Sequence, residues 1–221
     1  MKRNPTWLLA GGPGSSRKHL VELLARALSD SGQDSPSVAY LGSASEDDPG
    51  FFKRMADLLQ AAGAGAVTLA PTVGKRVRIE TTETLLKSAD VIFVSGGDVE
   101  AGMAVLANHD LIAFLLGLHA AGKAFIGLSA GSIMLAKGWV RWRDHQDDST
   151  AELFPCLGIA PVYCDTHAEA DDWEELHALM KLLPAGQTGY GIPSPSALRT
   201  IPGKPVDCVG PGIVTFTRSP G

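Results

Sequence analysis

Short continuous apolar runs alternate with stretches of helical periodicity along most of this chain. Residues 7–10, 38–41, 67–69, 90–94 and 124–128 are each too short and too uniformly apolar for amphipathic helices. They read as strands buried on both faces. Between them, Leu20, Leu23, Leu24 and Leu28 recur at helical spacing, and residues 51–62, 81–88 and 111–121 follow the same rule, with Thr82 and Glu83 near the start of the third helix. Strand–helix alternation of this kind predicts an α/β fold: a mostly parallel sheet with helices on both faces, a three-layer sandwich. The pattern weakens in the last third. Prolines and glycines become frequent from Pro184, and residues 196–201 and 212–217 read as antiparallel or marginal strands.

In such sheets functional groups gather beyond the carboxyl ends of the strands. Two strand exits stand out. Residues 90–94 run into Ser95-Gly96-Gly97-Asp98, and residues 124–128 run into Ser129 within Gly127-Leu128-Ser129-Ala130-Gly131, with a helical pattern over 132–137. A serine between glycines on a tight strand-to-helix turn is a nucleophile elbow, and the following helix aims backbone N–H groups at the charge that develops on an attacked carbonyl.

A serine hydroxyl needs a base. Of six histidines, His19, His109, His119 and His177 fall in or beside helical segments and read as packing or surface residues, and His145 falls in the polar run 141–150, read as a loop. His167 follows an apolar run over 159–164 and precedes a helix starting near Asp172, so it occupies another strand exit. It is the expected base.

Composition narrows the setting. A chain of 221 residues, 45% hydrophobic and 19% charged, is long enough for one domain over 1–221 with a sizeable core. Its formal net charge of -5 argues against a nucleic-acid partner. The basic start, Met1 to Asn4, leads to only a short apolar run, so no signal peptide is expected; residues 111–136 are interrupted by His119, Lys123 and glycines and read as a buried helix and strand rather than a membrane span. Three cysteines, Cys156, Cys164 and Cys208, have no metal-ligand spacing and are expected to be reduced core thiols in the cytoplasm. Gly12-Pro13-Gly14 lacks the third glycine of a dinucleotide turn, Arg17 standing in its place, so no cofactor is expected. The acidic runs 46–48 and 144–148 read as solvated loops rather than metal sites.

Together, the Ser95-to-Asp98 loop, the Ser129 elbow, Asp165-Thr166-His167, the first-strand glycines and the segment from Tyr40 to Ser45 resemble the peptidase E and cyanophycinase-like serine peptidases, whose fold is related to class I glutamine amidotransferases. The resemblance spans most of the chain. It implies Ser129 as nucleophile, His167 as general base, the N–H groups of Gly97 and Ala130 as oxyanion hole, Gly96 and Asp98 in substrate binding, and a small peptide as substrate. Serine in the elbow, where glutaminases of this fold use cysteine, sets glutaminase chemistry aside. Association with further copies of the same chain stays open.

The chain departs from the pattern twice. Where family members often carry a carboxylate in the late turn, this chain has Ser194. Asp165 is one replacement, two residues from His167 in an extended segment; Glu169, Asp171 and Asp172 are others, although Asp171 with Glu174 and Asp172 with Glu175 have capping-box spacing. The basic residue that helps the family bind an acidic substrate group is missing from residues 168–175, which are acidic. The alternative expectation is therefore a catalytically weakened relative that acts as a small-molecule-binding or interaction module.

Overall fold

A computed structural model describes residues 5–219 except Pro13, Arg76, His145 and Gln146; the readings of Met1 to Asn4, Pro13 and His145 lie outside the described residues. The elements in chain order are β1 (Thr6–Leu9), α1 (Arg17–Ser29), β2 (Val38–Leu41), α2 (Pro49–Ala61), β3 (Val67–Ala70), α3 (Ile79–Ser88), β4 (Val91–Val94), α4 (Val99–Asn108), α5 (Leu111–Ala120), β5 (Ala124–Leu128) and α6 (Ala130–Leu135). The later part holds β6 (Gly138–Trp142), β7 (Ala151–Pro155), β8 (Tyr163–Thr166), α7 (Glu174–Leu182), β9 (Thr188–Ile192), β10 (Ala197–Thr200), β11 (Asp207–Val209) and β12 (Val214–Thr217).

A seven-stranded sheet runs in the order β11-β10-β1-β5-β4-β2-β3. Its five strands β1 to β5 pair in parallel, and β10 and β11 extend the edge beside β1 antiparallel. Strand side chains alternate between faces, and the alternation divides the core. Leu8, Ala39, Leu41, Ile92, Val94 and Phe125 pack with Leu86, Met103, Leu106 and Leu115 from α3, α4 and α5. Trp7, Leu9, Val38, Tyr40, Phe93 and Ile126 pack on the other face with Leu24 and Leu28 of α1 and Leu58 and Leu59 of α2. The expected three layers follow from this division.

Two smaller sheets complete the molecule. β6 and β7 form an antiparallel hairpin, and β9 lies between parallel β8 and antiparallel β12. The loop expected over 141–150 is therefore bounded by paired strands. The strand expected over 159–164 begins only at Tyr163, after Pro161, which has no N–H for a ladder. Residues 212–217 contribute β12 to the small sheet rather than to the central one.

Other expectations are corrected at single residues. Asp47 in the acidic run is buried and accepts from the N–H groups of Thr72 and Val73, while Asp48 caps α2 through the N–H of Phe51. Cys164 is buried and Cys156 half-buried, but Cys208 on the edge strand β11 is exposed and is not a core thiol. Among the described residues no single helix is long and apolar enough to cross a membrane; α4 and α5 reach that length only as a pair bent by 93°.

Candidate active site

β4 and β5 are sheet neighbours, so the loops leaving them meet at one edge. Ser129 follows β5 with φ 53° and ψ -124°, a conformation rare outside glycine, and stands at the N-cap position of α6 without a side-chain capping bond. The turn is held by the Ser129 N–H donating to Leu9 O at 2.9 Å and by the Ser132 hydroxyl donating to the same carbonyl at 2.9 Å. A nucleophile elbow requires a strand-to-helix turn of this kind.

His167 arrives from β8, across 38 positions of chain, with its Nε2 2.7 Å from Ser129 Oγ. Its own backbone is left-handed, φ 45°, and its N–H donates to Ile192 O at 2.9 Å. The imidazole lies against Gly12: a Cβ built there would sit 2.7 Å from His167 Cγ. The glycine turn after β1 thus makes room for the ring, a role sequence reasoning missed because nothing local links positions 12 and 167.

Beside this pair is a cleft of about 310 Å³ lined by Gly97, Asp98, Ala130, Trp139, Asp165, Thr166, Asp171 and Glu175, among others. No acceptor among the described residues takes the N–H of Gly97 or of Ala130. Asp98 lines the cleft and also caps α4, accepting from the Ala101 N–H at 2.8 Å. Gly96 is not among the lining residues; it backs the serine, since a Cβ there would lie 3.2 Å from Ser129 Cβ.

The acids considered as partners of His167 go elsewhere, and among the described residues no carboxylate hydrogen-bonds the imidazole. Asp165 Oδ1 accepts from the Thr166 N–H at 2.7 Å, and its buried Oδ2 has no partner. The geometry does not join it to the ring. Glu169 accepts from the Ser194 N–H at 2.7 Å, and the Ser194 hydroxyl donates to Gly11 O, so the late turn is tied to the glycine turn under His167. The capping boxes do not form. Asp171 accepts from the Trp173 N–H at 3.1 Å, Asp172 and Trp173 are left-handed, and α7 starts at Glu174 without a side-chain cap. Glu175 accepts from Trp139 Nε1 at 3.0 Å. The histidines read as packing residues fit that role where contacts are seen: His177 meets the Phe216 ring at 4.4 Å and His119 meets Phe125 at 5.9 Å.

Burial pushes the Asp165 carboxyl up to about 7; the Glu175, Asp171 and Glu169 charges add to the rise, and the Thr166 N–H opposes it. Glu175 is also raised, first by burial. An acid raised on folding binds protons in the native state, so stability is fullest below the unfolded pKa of 3.8 and falls as pH climbs toward about 7. The span corresponds to up to about 4 kcal/mol. Asp165→Asn is therefore expected to melt with a flatter pH dependence between pH 4 and 7 than the parent. Equal slopes in thermal melts across that window would contradict the assignment.

Comparison with known proteins supplies the family. The model of peptidase family S51 matches residues 7–205. The chain belongs to peptidase family S51. Membership makes it a serine peptidase of the peptidase E type. Among solved structures, a peptidase from an acI-B1 actinobacterium superposes with a TM-score of 0.71 at 18% identity, covering 98% of this chain and 91% of that one. A putative peptidase E protein from Listeria monocytogenes EGD-e gives 0.65 at 17% identity, covering 98% and 99%. At such identities these two relatives establish the shared fold. No curated protein sequence matches the chain. The cleft beside Ser129 in this chain is acidic, and Ser194 stands in the late turn.

Sequence reasoning missed Trp139 and Glu175 as cleft residues. The aromatic and β-branched run Trp139-Val140-Arg141-Trp142, a strand-favouring composition, was the available signal for the first. For Glu175 there was none beyond the acidity of its segment.

Proposed function

We propose that this S51 peptidase cleaves small peptides with Ser129 as nucleophile, His167 as general base, and the N–H groups of Gly97 and Ala130 as oxyanion hole. The observation that carries the reading is the 2.7 Å contact between Ser129 Oγ and His167 Nε2 beside two unengaged amide hydrogens. In the first step Nε2 accepts the hydroxyl proton while Oγ attacks the substrate carbonyl, and the two N–H groups bind the resulting oxyanion. The imidazolium returns its proton to the leaving amine, the C–N bond breaks, and an acyl-enzyme remains. Water then attacks with the same proton relay reversed, releasing the acid and restoring Ser129. This requires the neutral ring to carry its proton on Nδ1. The supports for that orientation are the contact with Gly12 and the main-chain bond to Ile192 rather than a carboxylate.

The lack of a carboxylate on the ring among the described residues favours a second reading, a slow or binding-only relative, because losing that group can lower a rate about ten-thousandfold. A fluorophosphonate reagent separates the two. The catalytic reading expects stoichiometric modification confined to Ser129 and much faster than that of free serine. Modification no faster than free serine favours the binding-only relative.

A further inference from the structure

Asp98, Asp165, Asp171 and Glu175 line the cleft beside Ser129, and among the described residues no lysine or arginine does. Two of the four are committed: Asp98 caps α4 and Asp171 holds the Trp173 N–H. The other two are short of donors. Asp165 is only 4% exposed, and its Oδ2 is buried without a hydrogen-bond partner. Glu175 has the single neutral donor Trp139 Nε1. A buried carboxylate oxygen left unpaired costs about 1–3 kcal/mol or more, so it needs a compensating partner. Among the described residues no group of three or more His, Cys, Asp or Glu is arranged to hold a metal ion. The fitting partner is thus an organic cation with N–H donors, and the half-exposed indole of Trp139 offers an aromatic face along the way.

We propose that Asp165 and Glu175 form a subsite for the cationic side chain of a lysyl or arginyl residue flanking the scissile bond. A carboxylate this deep is reached by a slender side chain rather than by the peptide main chain, and lysine and arginine stems pack readily along apolar surface while delivering the charge at their tip. A guanidinium or ammonium between the two carboxyls supplies the donors Oδ2 lacks. It also offsets the repulsion that the Glu175 charge exerts on the buried Asp165 carboxyl. The same arrangement repels an aspartyl side chain. The substrate preference rests on the serine-peptidase reading above; the binding of the cation does not.

The test compares kcat/KM for Lys-Leu, Arg-Leu and Leu-Lys with Nle-Leu, Leu-Nle and Asp-Leu, the paired orders telling which side of the bond the subsite serves. At least one cationic peptide is expected to exceed its norleucine counterpart by about tenfold or more. That ratio should fall to within threefold in Asp165→Asn and in Glu175→Gln, chiefly through KM; a carboxylate orienting His167 would instead depress kcat for every peptide. Parity between lysyl and norleucyl peptides overturns the proposal, as does Asp-Leu being the best substrate or a preference that both variants retain. Calorimetry on Ser129→Ala protein reads the subsite without catalysis. Tighter binding of the cationic dipeptides, lost on adding Glu175→Gln, supports it even if no peptide is cleaved and Ser129 resists labelling, in which case the catalytic reading alone falls. Equal binding of cationic and norleucine dipeptides sinks the subsite whatever the turnover.

Discussion

Ser129→Ala is expected to lower kcat by about a hundredfold or more, the serine's share when no carboxylate supports the histidine, while shifting the melting temperature by no more than a few degrees. Oγ, the atom 2.7 Å from His167 Nε2, is the proposed site of the acyl bond, and alanine has no replacement for it. The amides of Gly97 and Ala130 remain in the variant, so substrate binding should survive where turnover does not. Alanine keeps the same Cβ, so the unusual backbone at position 129 is no more strained than before. The N–H bond to Leu9 O is a main-chain interaction and persists. Dipeptide hydrolysis followed by chromatography, alongside a thermal melt, checks both halves. Turnover at the parent rate in a well-folded variant would remove Ser129 from the mechanism.

Gly131→Ala should produce a large loss of stability. A Cβ at this position would stand 2.1 Å from Val94 O and 2.7 Å from Ser95 O, which are main-chain atoms at the exit of β4. A flexible side chain could swing aside; a strand in the middle of the sheet cannot. To admit one methyl group, α6 must move off β4, opening the junction that sets the cleft. Overpacking typically costs about 1–3 kcal/mol where side chains can adjust. Against backbone, we expect about 4 kcal/mol or more, a drop of roughly 10 °C in melting temperature for a chain of this length. Insoluble expression or a melt lowered by that amount bears this out. A melt within a few degrees of the parent would mean that the elbow and β4 are less tightly joined than the geometry requires.

The elbow was readable from sequence because its information is local. A buried parallel strand is a continuous apolar run, and Gly127, Ser129 and Gly131 lie within five positions of one another. The central sheet was legible for the same reason, and its two cores follow from residues alternating along each strand. His167 could be singled out as a residue at a strand exit, even though the run expected before it was placed too early. Pro161 and Val162 look like strand residues by hydrophobicity, but the ladder starts at Tyr163.

The hairpin of β6 and β7 was hidden by its charges. Arg141 of β6 and Arg143 just beyond it pair with Glu152 of β7, so the start of the run that read as a solvated loop is ion-paired to the facing strand. That misreading also concealed Trp139. The capping boxes failed because spacing is only a necessary condition: the chain at Asp172 and Trp173 turns left-handed, so neither aspartate reaches the N–H its motif requires.

By itself the sequence determined the layered α/β architecture and the strand exits at which Ser129 and His167 stand, since periodicity and strand ends are written in neighbouring residues. Only the tertiary structure decided that the imidazole rests on Gly12, that Asp165 makes no hydrogen bond to the ring and keeps an unpaired oxygen, and that Trp139 and Glu175 join it at the cleft. Those contacts link residues brought together by sheet pairing and packing, and no local pattern encodes distances between segments far apart in the chain.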